Sequence, residues 1–421
     1  MRAKRCLPHP FRWLVFAVQP VAIQGASLHP LPPQTRWPYW ARSQRWKDAF
    51  NLWCGVTVAD NMFPSLGFFG TEPMVARKVV VHDREPLSVP VASSRPAEVS
   101  EQLGLLALSS IRGVGYWTLS RMAKAGTNFA VFLATEDSTE AGRTLRTFGA
   151  KFENKVAGDW SAVRDRAVAR ANRILENLTA TGTRLIMAGS PEYPRALKDL
   201  SDPPAWLFVQ GDLPLLSKPS VAVVGTREPS DDGLWLCRFV GLCFENWAAP
   251  TVSGLAVGID SVVHELSLRA KVPTIAVLGT GIFSDYPKGA VALRERILDG
   301  RGAIVTEYLP YETYSAENFV RRNRLQAALA QVLIPIEWAA RSGTAHTVRY
   351  AESLKRPIAG LRLPDWPKDR VVFSNGAAAT ATTFTIPGQE EQFRQFVSKF
   401  VSKSLQHATP HEPEQSSFLL E

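Results

Sequence analysis

Cysteine is scarce in this sequence, and so are long apolar stretches. The 421 residues include four cysteines, with no Cys-x-x-Cys pair and no cluster of cysteine with histidine. We therefore expect neither a disulfide framework nor a structural zinc site. No apolar run approaches the length of about 18 residues that a membrane span needs, so we expect no membrane partner. The expectation is a cytoplasmic protein with no metal and no cofactor.

Basic residues are in excess, but the excess is concentrated near the start of the chain. The net charge is +9, and residues 1–100 account for +6 of it, with 12 Lys and Arg against 6 Asp and Glu. Frequent prolines in the first forty residues disfavour helices and central strands there. We expect residues 1–97 to be a Pro- and Trp-rich basic extension that is poorly ordered. A nucleic-acid site must be argued from local clusters rather than from the overall charge.

Residues 98–181 predict a small helical domain of the SAM or helix-hairpin-helix kind. Leu103–Leu108 and Trp117–Ala125 have helical character and flank a Gly-x-Gly turn at residues 113–115. Such a turn can present backbone N–H groups to a phosphate, or it can simply connect two helices; both interpretations stay open. Trp160–Leu178 has apolar residues at helical spacing. Arginines occupy the other face of this helix, which favours a solvated surface.

From residue 182 to 375, short apolar segments alternate with helical ones. The predicted strands are Ser220–Val224, Ala249–Ser253, Pro273–Leu278, Ala303–Thr306, Val332–Ile336 and Pro357–Leu361. Near-continuous apolar strands separated by helices are typical of a parallel sheet that is covered on both faces. The predicted fold class is α/β, with a Rossmann-like, doubly wound and mostly parallel sheet. Residues 376–421 are expected to be a C-terminal tail with one amphipathic helix.

Glycine, hydroxyl and basic residues gather where the predicted strands end. In an open α/β sheet, ligands bind at the carboxyl ends of the strands, near the point where the strand order reverses. Gly-rich turns that lead into a helix present N–H groups and a positive dipole end to an anion. The candidate phosphate-binding residues are Gly225, Thr226, Arg227, Ser253, Gly254, Gly258, Lys288, Arg321, Arg322, Asn323, Arg324, Ser342 and Gly343.

The motifs of nucleotide cofactors and of catalysis are incomplete in this chain. Gly279-x-Gly281 lacks the third glycine of a dinucleotide site, and no Gly-Lys-Ser/Thr marks a P-loop. His264 is expected to be a core histidine rather than a catalyst. Asp260 and Glu307 can form a carboxylate pair, or they can be hydrogen-bond acceptors that fix loops. We find no catalytic constellation and expect a protein that is not an enzyme.

Taken together, the strand-end motifs closely resemble one family over roughly residues 100–362. The motifs that carry the resemblance are Tyr193-Pro194, Asp202-Pro203-Pro204, Val224-Gly225-Thr226-Arg227, the segment Ser253–Asp260 with His264, Tyr286-Pro287, Thr306-Glu307, Arg322-Asn323-Arg324 and Ser342-Gly343. In order and spacing they are similar to the DNA-processing proteins called DprA or Smf. The resemblance implies a homodimer that binds and protects single-stranded DNA and loads the RecA recombinase onto it during natural transformation. It also implies DNA contacts by Arg227 and Lys288, and no catalytic activity.

A second function class is the nucleoside-monophosphate phosphoribohydrolases, which share this general sheet and phosphate pocket. Those enzymes carry Pro-Gly-Gly-x-Gly-Thr-x-x-Glu, whereas this chain has Ala340-Arg341-Ser342-Gly343-Thr344 at the corresponding place and lacks the double glycine. The alternative function is therefore a nucleotide-binding sensor or an enzyme of that kind, with a role such as defence against phage. Arg227, Lys288 and the cluster at 321–324 favour a polyanion over a single nucleotide.

Overall fold

The computed structural model describes residues 96–151, 159–366 and 380–406, so nearly all of the predicted N-terminal extension lies outside the described residues. Within these ranges, helices precede the first strand. They are α1 (Pro96–Ser109), α2 (Tyr116–Lys124), α3 (Phe129–Leu133), α4 (Ser138–Thr147) and α5 (Trp160–Ala180). Asn128, Asp137 and Asp159 cap the last three of these helices, each with its side-chain oxygen accepting a backbone N–H of the first turn.

In the described part of the chain, a sheet of nine strands follows the helices. The strands are β1 (Thr183–Met187), β2 (Trp206–Gly211), β3 (Val221–Gly225), β4 (Thr251–Ser253), β5 (Thr274–Val277), β6 (Ala303–Thr306), β7 (Val332–Ile336), β8 (Ile358–Arg362) and β9 (Ala381–Thr385). Their order in the sheet is β1-β2-β6-β5-β4-β3-β7-β8-β9. Every pairing from β3 to β9 is parallel, while β2 is antiparallel to both β1 and β6.

Helices connect the parallel strands, as the sequence pattern predicts. The connecting helices are α7 (Asp231–Gly241), α8 (Phe244–Trp247), α9 (Ile259–Arg269), α10 (Val291–Asp299), α11 (Ala316–Leu329) and α12 (Gly343–Ser353), while α6 (Arg195–Lys198) lies between the antiparallel strands β1 and β2 and α13 (Glu390–Gln406) follows β9. The strand order reverses between β3 and β7, which makes the sheet doubly wound. The predicted α/β fold class is thus confirmed. No helix in the described part of the chain is long and apolar enough to cross a membrane.

Two details of the sheet region differ from the sequence-based expectation. A single helix over Asp231–Trp247 is expected, but the chain forms α7 and α8 with a break after Gly241. A Cβ at Gly241 would lie 2.8 Å from the Leu266 side chain, so the glycine allows close packing against α9, although it is a poor helix former. The sheet also continues past the expected boundary at residue 375, because β9 pairs with β8 along its full length.

The hydrophobic core lies on both faces of the sheet. Alternate residues of β2 point to opposite faces, so Trp206 and Phe208 pack on one side and Leu207 and Val209 on the other. The cluster on the first side also contains buried residues of the N-terminal helices, such as Leu119 and Leu178 of α2 and α5. The helices that precede the sheet therefore share one apolar cluster with it.

The turn between α1 and α2 is the one that the Gly-x-Gly pattern singled out. Gly113 has φ 90°, a conformation that favours glycine, and its carbonyl accepts a hydrogen bond from the Lys151 N–H at 2.9 Å. Gly115 precedes α2 as its N-cap, with extended backbone. The turn does connect two helices, while phosphate binding by its amides stays a prediction.

Candidate nucleic-acid-binding site

The strand order reverses between β3 and β7, and the region at the carboxyl ends of these two strands is called the crevice below. Gly225 and Ile336 are register partners at the ends of these two strands. A Cβ at Gly225 would lie 2.3 Å from the Ile336 carbonyl oxygen and 2.6 Å from the Ile259 side chain. The glycine therefore lets β3, β7 and the start of α9 approach closely. This is the position at which open α/β sheets bind their ligands.

Arg227 lies on the turn that follows β3, and its side chain is exposed. The turn is fixed by α9, because the Ile259 N–H donates to the Thr226 carbonyl oxygen at 3.1 Å. Gly258 has φ +91°, and a Cβ there would lie 2.5 Å from the same oxygen. Within the described residues, the Arg227 guanidinium forms no ion pair, and its carbon lies 5.4 Å from the centre of the Phe319 ring. The turn thus holds an exposed cation at the crevice.

The turns that follow β5 and β7 bring further candidate residues to the same edge of the sheet. Lys288 is exposed in the segment after β5, and Gly343 is exposed at the start of α12. Ser342 caps that helix, since its hydroxyl accepts the Ala345 N–H at 3.4 Å. The Asn323 amide donates to the Gly343 carbonyl oxygen at 3.0 Å. Asn323 is buried, so it supports this turn from the protein interior and is not exposed to solvent.

Ser253 and Gly254 are buried, although the sequence places them among the candidate ligands. The Ser253 hydroxyl donates to the Val223 carbonyl oxygen at 2.8 Å. Gly254 lies against the guanidinium of Arg322, where a Cβ would be 1.8 Å from Nη1. Direct phosphate contact by these two residues is therefore disfavoured. Their small size instead allows the buried arginine to lie beneath the crevice.

The predicted cluster at 321–324 is not an exposed cationic patch. Arg322 is 4% exposed and donates from Nη1 to the Val277 carbonyl oxygen at 2.6 Å, while Nη2 lies 3.6 Å from the Asp260 carboxylate. Arg324 is 3% exposed and forms a two-pronged ion pair with Glu307, with Nη2 to Oε2 at 2.6 Å. The expectation that these two arginines present their charge to DNA is wrong, because the guanidinium of each is buried and pairs with a buried carboxylate.

Glu307 links the N-terminal helices to the sheet. Its carboxylate is 1% exposed and accepts a hydrogen bond from the Tyr116 hydroxyl of α2 at 2.5 Å, in addition to the pair with Arg324. Burial and the neighbouring Glu307 charge both raise the pKa of Tyr116, so its hydroxyl keeps its proton and donates. Asp260 and Glu307 each face their own arginine, which supports the interpretation that they fix structure rather than form a catalytic pair.

Arg321 belongs to the same junction. Its guanidinium pairs with Asp202 and lies 4.8 Å from the centre of the Trp117 ring on α2. Lys124, also on α2, forms an ion pair with the same aspartate. Burial alone would raise the pKa of Asp202, but the hydrogen bonds from Lys124 and Arg321 hold it below its ordinary value. Arg321 therefore joins helices and sheet, and its predicted role as a DNA ligand is left without structural support.

His264 lies in the core beneath the crevice, where the sequence analysis expects it. Its side chain is 0% exposed, and Nδ1 lies 2.8 Å from the Thr274 hydroxyl. Burial, and then the nearby Arg322 charge, lower the pKa of His264 to about 3. The imidazole is therefore neutral in the folded protein at neutral pH.

Because the unfolded chain protonates His264 near pH 6.5 and the folded chain does not, stability should fall as the pH drops below that value. We expect the free energy of unfolding to fall by about 2 kcal/mol between pH 7 and pH 5 on account of this residue. Urea unfolding of the wild type and of His264→Gln at several pH values measures it. An equal pH dependence in the two proteins would contradict the assignment.

Two exposed tyrosines near the crevice are not among the site residues that the sequence predicts. Tyr311 and Tyr314 follow β6 and are 55% and 50% exposed. The signal available in the sequence is that three tyrosines fall within seven residues after a buried strand, but nothing in it shows which ring is exposed.

Within the described residues, no group of His, Cys, Asp and Glu is arranged to hold a metal ion.

Comparison with known proteins finds similarity to one family. The family model for DNA recombination-mediator protein A matches residues 184–381. Protein Smf of Synechocystis is 32% identical over 276 residues, which is 64% of this chain and 66% of the relative. DNA processing protein DprA of Streptococcus pneumoniae is 39% identical over 166 residues, covering 39% of this chain and 58% of the relative. The crystal structure of DprA from Streptococcus pneumoniae aligns with a TM-score of 0.44 and 28% identity, over 61% of this chain and 90% of that one.

The fold and the family match define a Rossmann-like protein of the DNA-processing class. The chain belongs to the DprA/Smf family. The matched region spans between about half and two thirds of the curated relatives.

Proposed function

We propose that this chain binds single-stranded DNA through the crevice at the carboxyl ends of β3 and β7. The observation that carries the proposal is Arg227, an exposed cation without an ion-pair partner among the described residues, on a turn that is hydrogen-bonded to α9 where the strand order reverses. Its guanidinium can bind two phosphate oxygens at once. Lys288 adds a second exposed cation in the segment that follows β5. The family's role in DNA processing supports DNA as the polyanion.

Single-stranded DNA is favoured over a mononucleotide because the exposed cations lie on separate turns. Arg227 follows β3, whereas Lys288 follows β5, and β4 lies between these two strands in the sheet. A strand with several phosphates can contact Arg227 and Lys288 at the same time, whereas a single phosphate is less suited to bind both. A nucleotide sensor or a phosphoribohydrolase-like enzyme is the competing proposal, and it requires a single compact phosphate pocket. We propose that the chain acts by binding rather than by catalysis.

A competition experiment tests this proposal. Fluorescence anisotropy of a labelled single strand is measured with unlabelled single-stranded DNA, double-stranded DNA and mononucleotides as competitors. We expect the single strand to compete best, because its backbone and bases are both accessible. If a mononucleotide displaces the labelled strand at concentrations at which unlabelled single-stranded DNA does not, the nucleotide-binding alternative is favoured.

Binding should also weaken with salt. Each phosphate contact releases counterions from the strand, so a plot of log affinity against log salt concentration should fall with a slope of about −0.7 per contact. The same anisotropy assay in a salt series measures the slope and thus the number of contacts. An affinity that does not change between low and physiological salt would argue against phosphate binding by Arg227 and Lys288.

We further propose that the chain works as a homodimer that protects single-stranded DNA and loads RecA onto it. The match to the model of a recombination mediator supports this role. Light scattering measures the oligomeric state, and the DNA-dependent ATPase activity of RecA on strands covered by a single-strand-binding protein measures loading. The proposal predicts faster RecA activity when this chain is present, and no acceleration by Arg227→Ala.

A further inference from the structure

The segments that follow β5 and β6 pair with each other next to the crevice. The Gly281 N–H donates to the Glu312 carbonyl oxygen, and the Phe283 N–H donates to the Pro310 carbonyl oxygen, both at 2.9 Å. The approach is close, since a Cβ at Gly281 would lie 2.1 Å from the Leu309 carbonyl oxygen. The two segments therefore form one supported structure rather than two separate loops.

Aromatic side chains from both segments meet along this structure, which we call the aromatic ridge (Phe283, Tyr286, Tyr311 and Tyr314). The rings of Tyr286 and Tyr314 are stacked, with centroids 4.9 Å apart and an interplanar angle of 23°. The rings of Phe283 and Tyr311 lie 5.2 Å apart and are tilted by 43°. Each pair thus combines one ring from each segment, and in each pair the tyrosine from the second segment is about half exposed.

The ring of Phe319 lies between the aromatic ridge and Arg227, the exposed cation of the crevice. The centre of this ring is 5.3 Å from that of Tyr314 and 5.4 Å from the Arg227 guanidinium carbon. Phe319 also contacts Tyr286 at 4.9 Å and is itself 7% exposed, so it anchors Tyr286 and Tyr314 from below. Lys288 follows Tyr286 by two residues on the same segment.

A single strand of DNA offers phosphates and unpaired base faces side by side, whereas a duplex hides the base faces in its own stack. Proteins that bind single strands combine a cationic path for the backbone with aromatic rings on which bases stack. The crevice and the aromatic ridge place these two elements next to each other. Tyr314 suits stacking because its ring is supported on one side by Tyr286 and is still half exposed.

We propose that Tyr314, supported by Tyr286, stacks on a base of single-stranded DNA whose adjoining phosphate binds Arg227. This inference rests on the proposed function and deepens it by naming the group that contacts the base. It explains why an aromatic ring is left half exposed beside a cation in a segment that is otherwise well supported.

The test compares two oligonucleotides of equal length with the full-length chain. One is a thymidine oligonucleotide, and the other has the same sugar–phosphate backbone with every base removed. Tyr314→Ala should lower the affinity for the thymidine strand by about fivefold or more, and it should leave the affinity for the abasic strand unchanged. Tyr314→Phe keeps the ring and should bind like the wild type. Phe400→Ala, on α13, is an aromatic control away from the crevice.

The outcomes separate this inference from the proposed function. If Tyr314→Ala weakens both strands equally or weakens neither, while Arg227→Ala weakens both, the stacking role is wrong and the crevice stands. If Tyr314→Phe loses as much affinity as Tyr314→Ala, the aromatic ring is not what binds. If the wild-type chain binds neither strand, the proposed function fails and the stacking role fails with it. Thermal unfolding of each variant shows whether the fold is kept.

Discussion

Replacing Glu307 by alanine is expected to lower the free energy of unfolding by about 3–5 kcal/mol. The carboxylate is 1% exposed, so its loss leaves the guanidinium of Arg324, itself 3% exposed, as an unpaired buried charge. The Tyr116 hydroxyl also loses its acceptor. Removing one partner of a buried ion pair costs far more than the pair contributes, because the remaining charge cannot return to water. Urea unfolding measures the change.

Two controls isolate the buried pair. Glu265→Ala removes a carboxylate that pairs with Arg296 in similar two-pronged geometry at the surface, and it should cost less than about 1 kcal/mol. The double variant Glu307→Leu with Arg324→Leu removes both buried charges and should recover part of the loss. A cost for Glu307→Ala no larger than that for Glu265→Ala would show that water reaches the junction in solution.

Arg227→Ala is expected to lower the affinity for single-stranded DNA by tens of fold. The change removes a charge-assisted contact that can be two-pronged, worth about 1.5–3 kcal/mol. Lys288→Ala removes a point charge and should cost less, while the double variant should lose about a hundredfold or more. Both side chains are exposed, so the melting temperature should stay nearly unchanged. Anisotropy with a labelled single strand, together with thermal unfolding, measures both effects.

Arg166→Ala provides the matched control for these variants. Arg166 is an exposed arginine on α5, so the change removes the same charge at a place outside the crevice. We expect it to reduce affinity only slightly, through the lower net charge. If Arg166→Ala weakens binding as much as Arg227→Ala does, then binding is spread over the basic surface. The family assignment would stand, but the crevice would not be the site.

The parallel part of the sheet could be predicted because its strands are buried on both faces. Ala303–Thr306 and Val332–Ile336 have the predicted bounds, since uninterrupted apolar runs between helical segments are a strong local signal. Thr183–Met187, Trp206–Gly211 and Ala381–Thr385 were not predicted as strands. The first and the last lie at the two edges of the sheet, where a strand has one neighbour, whereas Trp206–Gly211 is an interior strand that precedes the alternating pattern of strands and helices.

The candidate site could be predicted only where it depends on local sequence. The turn after β3, with Gly225 and Arg227, follows directly from a strand that ends in glycine. The roles of Arg322 and Arg324 could not be predicted in this way, because their partners are distant in sequence: Glu307 is 17 residues away from Arg324, and its other partner Tyr116 is 191 residues from it. A run of arginines gives no indication of whether carboxylates from other elements will neutralise it.

The apolar cluster that the N-terminal helices share with the sheet has a consequence for how the chain can be divided. A chain shortened to begin at residue 182 would leave Trp206, Phe208 and Tyr308 without the helices that cover them. We expect such a fragment to self-associate through this bare apolar patch. It would also lack Tyr116, whose hydroxyl donates a hydrogen bond to the Glu307 carboxylate. The change from helices to strands near residue 182 therefore marks a boundary of secondary structure, and the two parts are expected to melt in one cooperative transition.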